Sequence, residues 1–347
     1  MRREGKRTFF YEEGAWIRSR ACMAGQKESE GPLGNTFDQI LEDDLLGQKS
    51  WEFAESEMLR RTVELCASKA DMSSGDIGAL LAGDLNAQII SAGFAARQLG
   101  VPFLGLYGAC STMTETLVVG AALVSAGYLK NAMCAASSHF CTAERQYRAP
   151  LELGNQRTPT AQWTVTGAGA VMLASGAAAK GAKVCLTHTT CGRVIDLGIA
   201  DANNMGAAMA PAAADTLCAH LKDLNRSFED YDLVVTGDLG HHGRDLLIEL
   251  LRQSGVDVRE DRLFDCGCEI FSARQDVHAG GSGCGCAASM LCGYLLPELA
   301  AGHLNRIVFM APGALLSPTT TMQGESIPGV AHAVVLEHRE ESSGWRC

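Results

Sequence analysis

Short continuous apolar runs alternate with longer small-residue or amphipathic stretches along most of the chain. Val101–Tyr107 is apolar and has the length of a strand buried on both faces. The run after Ser111 is rich in Ala, Val and other small residues, which predicts a helix packed on all sides. Ile77–Asp84, I-G-A-L-L-A-G-D, reads as a buried strand ending in Gly-Asp, and Tyr231–Asp238, Y-D-L-V-V-T-G-D, reads the same way. The unit that runs from Gly-Ala-Cys110-Ser through a small-residue helix to G-Y-L-K-N-A-M-C-A-A-S-S has a counterpart. That counterpart runs from Gly-Cys284-Gly-Cys through a second such helix to A-G-H-L-N-R-I-V-F-M-A-P-G. Each half closes on an apolar β-rich run, Trp163–Ala174 and Val330–His338. Strands alternating with helices and apolar throughout predict an α/β fold, with a parallel or mixed sheet covered on both faces. The repeat divides the chain at 1–175 and 176–347, with a polar Gly/Pro loop at 25–47 in the first half.

This pattern puts Cys110 where a buried strand hands over to a buried helix. Free N–H groups and the positive end of the helix dipole meet at such a place and favour a thiolate or a bound anion. Cys110 is therefore either a nucleophile or the mark of an anion pocket. The Gly-rich loop Gly280–Gly285, with unencumbered N–H groups, suits a small anion in the same way.

Composition narrows the setting. The net charge of −11 argues against a nucleic-acid surface, and there is no polybasic membrane patch. Fourteen cysteines in 347 residues fall short of a disulfide scaffold, and Cys134, Cys185 and Cys292 lie inside apolar runs, so a reducing compartment is expected. Gly, at 38 residues, is frequent and predicts tight turns or close backbone approaches. The start, M-R-R-E-G-K-R-T-F-F-Y-E-E-G, lacks an apolar core, so no secretory signal is expected; nor is any window long and apolar enough for a transmembrane helix.

G-A-C110-S-T-M resembles the nucleophile turn of ketoacyl synthases and thiolases, and T-G-A-G-A-V-M-L, Thr166–Leu173, looks like their G-x-G-A strand. The resemblance to this thiolase superfamily implies two similar halves in a five-layer αβαβα stack with the two central helices buried. Over nearly the whole chain the sequence also resembles the stage V sporulation protein AD family. The matching strings are G-P-L-G-N-T-F-D (Gly31–Asp38), G-L-Y-G-A-C-S-T-M (Gly105–Met113), S-S-H (Ser137–His139) and P-T-A-Q-W-T-V-T-G (Pro159–Gly167). They continue with T-G-D-L-G-H (Thr236–His241), A-G-G-S-G-C-G-C (Ala279–Cys286), and G-A-L-L-S-P, Q-G-E-S-I-P and A-H-A-V near the C-terminal end.

The condensing enzymes of the superfamily carry His or Asn on two further loops to handle the proton and the developing charge. At those places this sequence has Asp238 and Cys284, with His241 and His242 a few residues beyond the first. A carboxylate beside a thiol raises its pKa. The resemblance to the sporulation family instead implies non-catalytic binding of dipicolinate, as free acid or calcium chelate, for its uptake into the developing spore and release in germination. It also implies a homodimer, cytoplasmic or peripheral at the forespore or spore inner membrane, working with membrane subunits of the same uptake complex, with no cofactor and no nucleic acid. A thiol-dependent acyltransferase using Cys110 is the alternative, and a purely structural adaptor for the membrane subunits a third reading.

The ligand set expected on this reading is Cys110, Ser111, His139, Arg148, Gln162, Trp163, Thr164, Asp238, Gly283 and Cys284. His139 follows the strand Ala132–Ser138 and is either a pocket cation or a satisfied strand-end histidine. Arg148 is chosen from Arg145, Arg148 and Arg157 in a segment too polar for core, where a surface or dimer contact is the bland role. Trp163 is either core or ring-stacking wall. The pairs Cys266/Cys268 and Cys284/Cys286 are spaced too closely for the usual structural zinc pattern, so no metal is expected. The loop 25–47 is either an ordered cover on the pocket side or a docking face.

Overall fold

Apolar runs bounded by Gly, Pro or polar residues become strands, and the small-residue stretches between them become helices, in the order set by the sequence. In the computed structural model, residues 1–147 and 157–339 are described. The strands are β1 (Arg2–Glu4), β2 (Thr8–Ala24), β3 (Gln39–Ile40), β4 (Leu80–Gly83), β5 (Phe103–Gly105), β6 (Asn131–Ser138) and β7 (Trp163–Thr164). They continue with β8 (Gly167–Ala174), β9 (Val184–Thr190), β10 (Leu233–Thr236), β11 (Leu263–Asp265), β12 (Gly281–Ser282), β13 (Arg306–Ala314) and β14 (Gly329–His338). The helices are α1 (Gln26–Ser29), α2 (Trp51–Ser68), α3 (Ile90–Leu99), α4 (Thr112–Ser125), α5 (Phe140–Tyr147) and α6 (Met205–Leu224). After them come α7 (Gly240–Gln253), α8 (Cys266–Glu269), α9 (Cys284–Met290), α10 (Leu296–Ala300) and α11 (Pro318–Met322), with a π-turn at Leu291–Leu295 joining α9 to α10.

The hydrogen-bonded strand order is β11-β10-β13-β14-β9-β2-β8-β6-β4-β5. Read outward from the central β2–β9 pair, both directions repeat one pattern: two antiparallel steps, then two parallel ones. Helix α4 packs on β6 and β4 of the first half and on β14 and β13 of the second. The rod from α9 to α10 likewise touches β8 and β6 at its start and β14 and β9 at its end. Helices α2 and α3 cover the outer face of the first half, and α6 and α7 that of the second. The result is five layers, αβαβα, with small residues making the close approaches. A Cβ on Gly169, for example, would stand 2.3 Å from the carbonyl oxygen of Ala288 on α9.

Two expectations change. The run Val101–Tyr107 yields only a three-residue strand, β5, and it is not buried on both faces: it lies at the sheet edge, and Leu104 is 44% exposed. Edge position removes one neighbour, so apolar composition alone did not report burial. Trp163–Ala174 is also two strands rather than one, because β7 leaves the main sheet to pair with β12.

Candidate functional site

Cys110 sits on a tight turn two residues ahead of α4, entered through Ala109 in the left-handed region (φ 51°). Opposite it, at the last residue but one of β13, a Cβ on Gly313 would come 2.2 Å from the carbonyl oxygen of Gly108 and 3.0 Å from the Cys110 nitrogen. The turn is thus wedged between the two halves, and Cys110 is only 4% exposed. The N–H groups expected to be free at the helix mouth are used within the turn: Ser111 N–H donates to Gly108 O at 2.9 Å and Thr112 N–H to Ala109 O at 3.2 Å.

The second loop is built by the pairing of β7 with β12, which aligns Thr164 with Ser282. Gln162 locks this pair to the end of β10, donating from Nε2 to Asp238 O and to Gly281 O, each at 2.7 Å. Ser282 Oγ lies 4.0 Å from Cys110 Sγ. Gly283 takes φ 104° and donates its N–H to Asp238 Oδ2 at 2.7 Å, while Ser282 Oγ donates to the same oxygen at 3.3 Å. The Gly-rich loop expected to hold an anion thus spends its Gly283 N–H on the chain's own Asp238.

The electrostatics follow from burial. Burial pushes the Cys110 thiol well above its usual range, and the adjoining Asp238 carboxyl pushes it further. Burial raises the Asp238 carboxyl to about 7; hydrogen bonds from Cys110, Gly283 and Ser282 oppose the shift and the Asp265 charge adds to it. Cys284 opens α9 and donates its thiol to Ser137 O at 2.9 Å; burial raises it too, with Glu55, Asp84 and Asp238 adding. Neither thiol is poised as a thiolate.

Cys110, Gln162, Thr164, Asp238, Gly283 and Cys284 thus converge. Ser111 lies on the far side of the turn, where its hydroxyl meets Thr114 Oγ1 at 3.2 Å and accepts from His332 N at 3.3 Å. The ring of His139 has both nitrogens in use: Nδ1 accepts from Cys141 N–H at 3.2 Å and Nε2 donates to Asp44 O at 2.9 Å. Burial also lowers its pKa, so it is the satisfied strand-end histidine and not a pocket cation. Asp44 belongs to the loop 25–47, which here is an ordered cover: Glu28 is buried and accepts from Thr166 N–H at 3.0 Å. Trp163 is no wall of the Cys110 site either. Phe140 stacks on it with centroids 4.0 Å apart, and Lys27 and Arg157 stand over its ring at 4.2 and 4.7 Å. Arg145 pairs with Glu52, and Arg148 lies outside the described residues. His241, exposed, and His242, half-buried, sit on the first turn of α7 and do not replace a proton-handling histidine.

Four residues escaped the sequence reading. Tyr107 and Tyr147 flank the site, their hydroxyls 3.4 Å apart, with Tyr147 donating to Leu85 O at 2.5 Å. Tyr107 is electrostatically within reach of Cys110, Cys284 and Asp84. Behind Cys284, Glu55 and Asp84 form a buried carboxyl pair, and burial raises both pKa values. Asp84 alone had a signal, the Gly-Asp ending repeated at Asp238.

The fold is that of the thiolase-like class. Similar solved structures include 3-oxoacyl-[acyl-carrier-protein] synthase III from Aquifex aeolicus VF5 (TM-score 0.56, 13% identity, covering 94% of this chain and 100% of that one). Human mitochondrial 3-ketoacyl-CoA thiolase is similar as well (TM-score 0.57, 13% identity, 96% and 100%), as is cerulenin-bound OleA from Xanthomonas (TM-score 0.58, 14% identity, 94% and 97%). At these identities the likeness concerns the fold alone. Within that class the family model described as stage V sporulation protein AD matches residues 5–337. The chain is also 45% identical over 339 residues to stage V sporulation protein AD of Bacillus subtilis strain 168, covering 97% of this chain and 98% of that protein. The chain belongs to the stage V sporulation protein AD family. No helix among the described residues is long and apolar enough to cross a membrane.

Proposed function

We propose that this sporulation protein binds dipicolinate, pyridine-2,6-dicarboxylate, without transforming it, in the machinery that loads the acid into the developing spore and releases it in germination. The observation that carries the reading is the pairing of the Cys110 thiol with the Asp238 carboxyl. A condensing site needs a base or oxyanion donor beside the thiol, and here burial first, and then the Asp238 carboxyl, raise the thiol instead. What the site keeps is suited to holding: small polar walls at Cys110 and Ser282, and aromatic faces of Tyr107 and Tyr147 for a flat ring. On this reading the ligand enters past the two tyrosines, since Cys110 itself is closed to solvent.

The same reading pairs two copies through the edge strand β5, where Leu104, Ile90 and Tyr107 are exposed, and leaves the remaining surface to membrane subunits. Calorimetric titration with dipicolinate, with acetyl-CoA as control, tests the proposal. A saturable single site for dipicolinate is expected. Absence of heat at millimolar ligand with folded protein sinks it, and binding of acetyl-CoA instead restores the acyltransferase reading.

A further inference from the structure

Asp84 and Asp238 occupy corresponding places in the two halves, Asp84 directly after β4 and Asp238 two residues after β10, yet they do different work. Asp84 spends both oxygens on its own turn: Oδ1 accepts from Asn86 N–H and Oδ2 from Ala92 N–H, each at 2.7 Å. In the second half that task has passed to Asp265 at the end of β11. Its two oxygens accept from Leu239 N–H (2.8 Å), Gly240 N–H (3.0 Å), Cys268 N–H (3.0 Å) and Thr236 Oγ1 (2.7 Å). All four donors are spent on Asp265. Asp238 is thereby freed from capping.

Asp238 is fully buried and turned towards the Cys110 turn. One oxygen, Oδ2, is gripped by Gly283 N–H and Ser282 Oγ, which fixes the plane of the carboxyl. Among the described residues the other, Oδ1, has no N–H or O–H donor, the Cys110 thiol is the one further hydrogen-bonding group facing the carboxyl, and no cationic side chain forms an ion pair with Asp238. The titratable groups around it are Cys110 from the α4 turn, Cys284 and Cys286 from α9, Cys266 from α8 and Asp265 from β11. All four thiols are kept neutral by burial, and the Asp265 charge adds to the cost of ionising Asp238. An ionised Asp238 would repel a dicarboxylate and leave an uncompensated buried charge. A neutral Asp238, with Oδ2 already accepting two hydrogen bonds, carries its proton on Oδ1.

We infer that Asp238 is a proton-donating specificity residue: as a neutral acid it donates from Oδ1 to a carboxylate of the bound dianion, so that binding is accompanied by proton uptake above neutrality. The inference rests on the dipicolinate reading and adds to it the form in which the site accepts its ligand. No bond is made or broken; the proton comes from solvent to Oδ1 and remains there in the complex. With the free carboxyl at about 7, the sign is fixed. Below that value the proton is already in place, and above it the affinity falls by about tenfold per pH unit.

The test is titration of the full chain with dipicolinate in two buffers of different ionisation enthalpy, at about pH 6 and about pH 8.5, beside Asp238→Asn. The wild-type protein is expected to take up close to one proton per ligand at the higher pH and close to none at the lower. Asn keeps the acceptor for Gly283 and places an N–H donor where Oδ1–H stood, so this variant is expected to bind without proton uptake and with flat affinity. Wild-type binding without proton uptake, or an unchanged pH slope in Asp238→Asn, overturns the inference while leaving dipicolinate binding intact. If neither protein binds, the functional reading fails, and the proton is read separately by infrared difference spectroscopy of ligand-free protein. A protonated-carboxyl stretch present at the lower pH and missing from Asp238→Asn is expected; its absence from the wild type overturns the inference on its own.

Discussion

The thiol of Cys110 and the carboxyl of Asp238 face each other from opposite halves of the chain, with Ser282 between them, 4.0 Å from the sulfur and 3.3 Å from the carboxyl oxygen. A nucleophilic thiol needs a neighbour that takes its proton or stabilises its anion. Burial, and the Asp238 charge wherever that carboxyl is ionised, keep the thiol protonated instead. Incubation with acetyl-CoA or malonyl-CoA is therefore expected to release CoA no faster than a Cys110→Ala variant does. A Cys110-dependent burst with an acyl adduct by mass spectrometry would reverse the assignment.

If the sulfur is a small wall group, its size matters more than its chemistry. Cys110→Ala keeps the turn and loses a weak donor and a little contact, so dipicolinate affinity should fall by about 1 kcal/mol. Cys110→Trp puts a large ring into a turn wedged against Gly313, so binding should vanish and the melting temperature should drop. Equal, complete loss in both, with a folded Ala variant, would make the sulfur itself indispensable.

Gly313 tests the wedge directly. A Cβ there meets the Gly108 carbonyl at 2.2 Å and the Ser111 nitrogen at 2.8 Å, backbone atoms that cannot rotate away. Gly313→Ala should force β13 and the Cys110 turn apart and cost about 1–3 kcal/mol in thermal or denaturant unfolding, with ligand affinity falling as well. A variant that melts with the wild type would mean that the two halves are not in contact there.

The buried pair Glu55–Asp84 predicts loss of stability on the alkaline side. Burial raises the pKa of both, so the folded state holds protons that the unfolded state has released, and stability declines as pH rises from the ordinary carboxylate range through the folded values. Glu55 accepts from Ser137 Oγ at 3.1 Å and from Asn86 Nδ2 and Thr142 Oγ1 at 2.9 Å. In Glu55→Gln the amide can donate to the Ser137 hydroxyl while its oxygen keeps the other two donors. Chemical unfolding across neutral to mildly alkaline pH should show a flatter decline in this variant, and an equal decline would assign the slope elsewhere.

Much of this was legible beforehand. The repeated Gly-Asp strand endings and the paired Cys-led helices pointed to two similar halves, and Asp238, Gly283 and Cys284 do meet Cys110. These residues follow strand ends or open helices, and strand and helix order place them. Pairings across the fold left no such trace. The capping of Leu239 and Gly240 by Asp265, 26 and 25 residues away in sequence, has no local spacing to betray it. Nor does the stacking of Phe140 and two cations on Trp163, which turned a candidate ring wall into an anchor for three loops. His139 looked available because nothing in the sequence says that the backbone carbonyl of Asp44, 95 residues earlier, would accept a hydrogen bond from its Nε2.

The same blindness covered His220, on α6, for which the sequence suggested no role and which supplies the last prediction. Its ring is fully buried, with Nδ1 bonded to Thr190 Oγ1 and Nε2 to Tyr231 OH, both at 2.7 Å. Thr190 continues to Thr8 at 2.9 Å, so the ring ties the β2–β9 seam to α6 and to Tyr231 ahead of β10. Burial first, then His188 and Arg226, lower its pKa from 6.5 to about 3. The unfolded chain protonates this ring near its ordinary value while the folded chain does not, so stability is complete above that value and declines as pH falls towards about 3. The full decline from one such ring is on the order of a few kcal/mol. His220→Gln should lower stability at neutral pH, because an amide spans the two hydroxyls less well. It should also flatten the acid limb, since the amide does not titrate. Urea unfolding of both proteins at several pH values between neutral and mildly acid measures the two slopes. Parallel slopes would show that another group, with His188 and His332 the first to examine, carries the acid sensitivity.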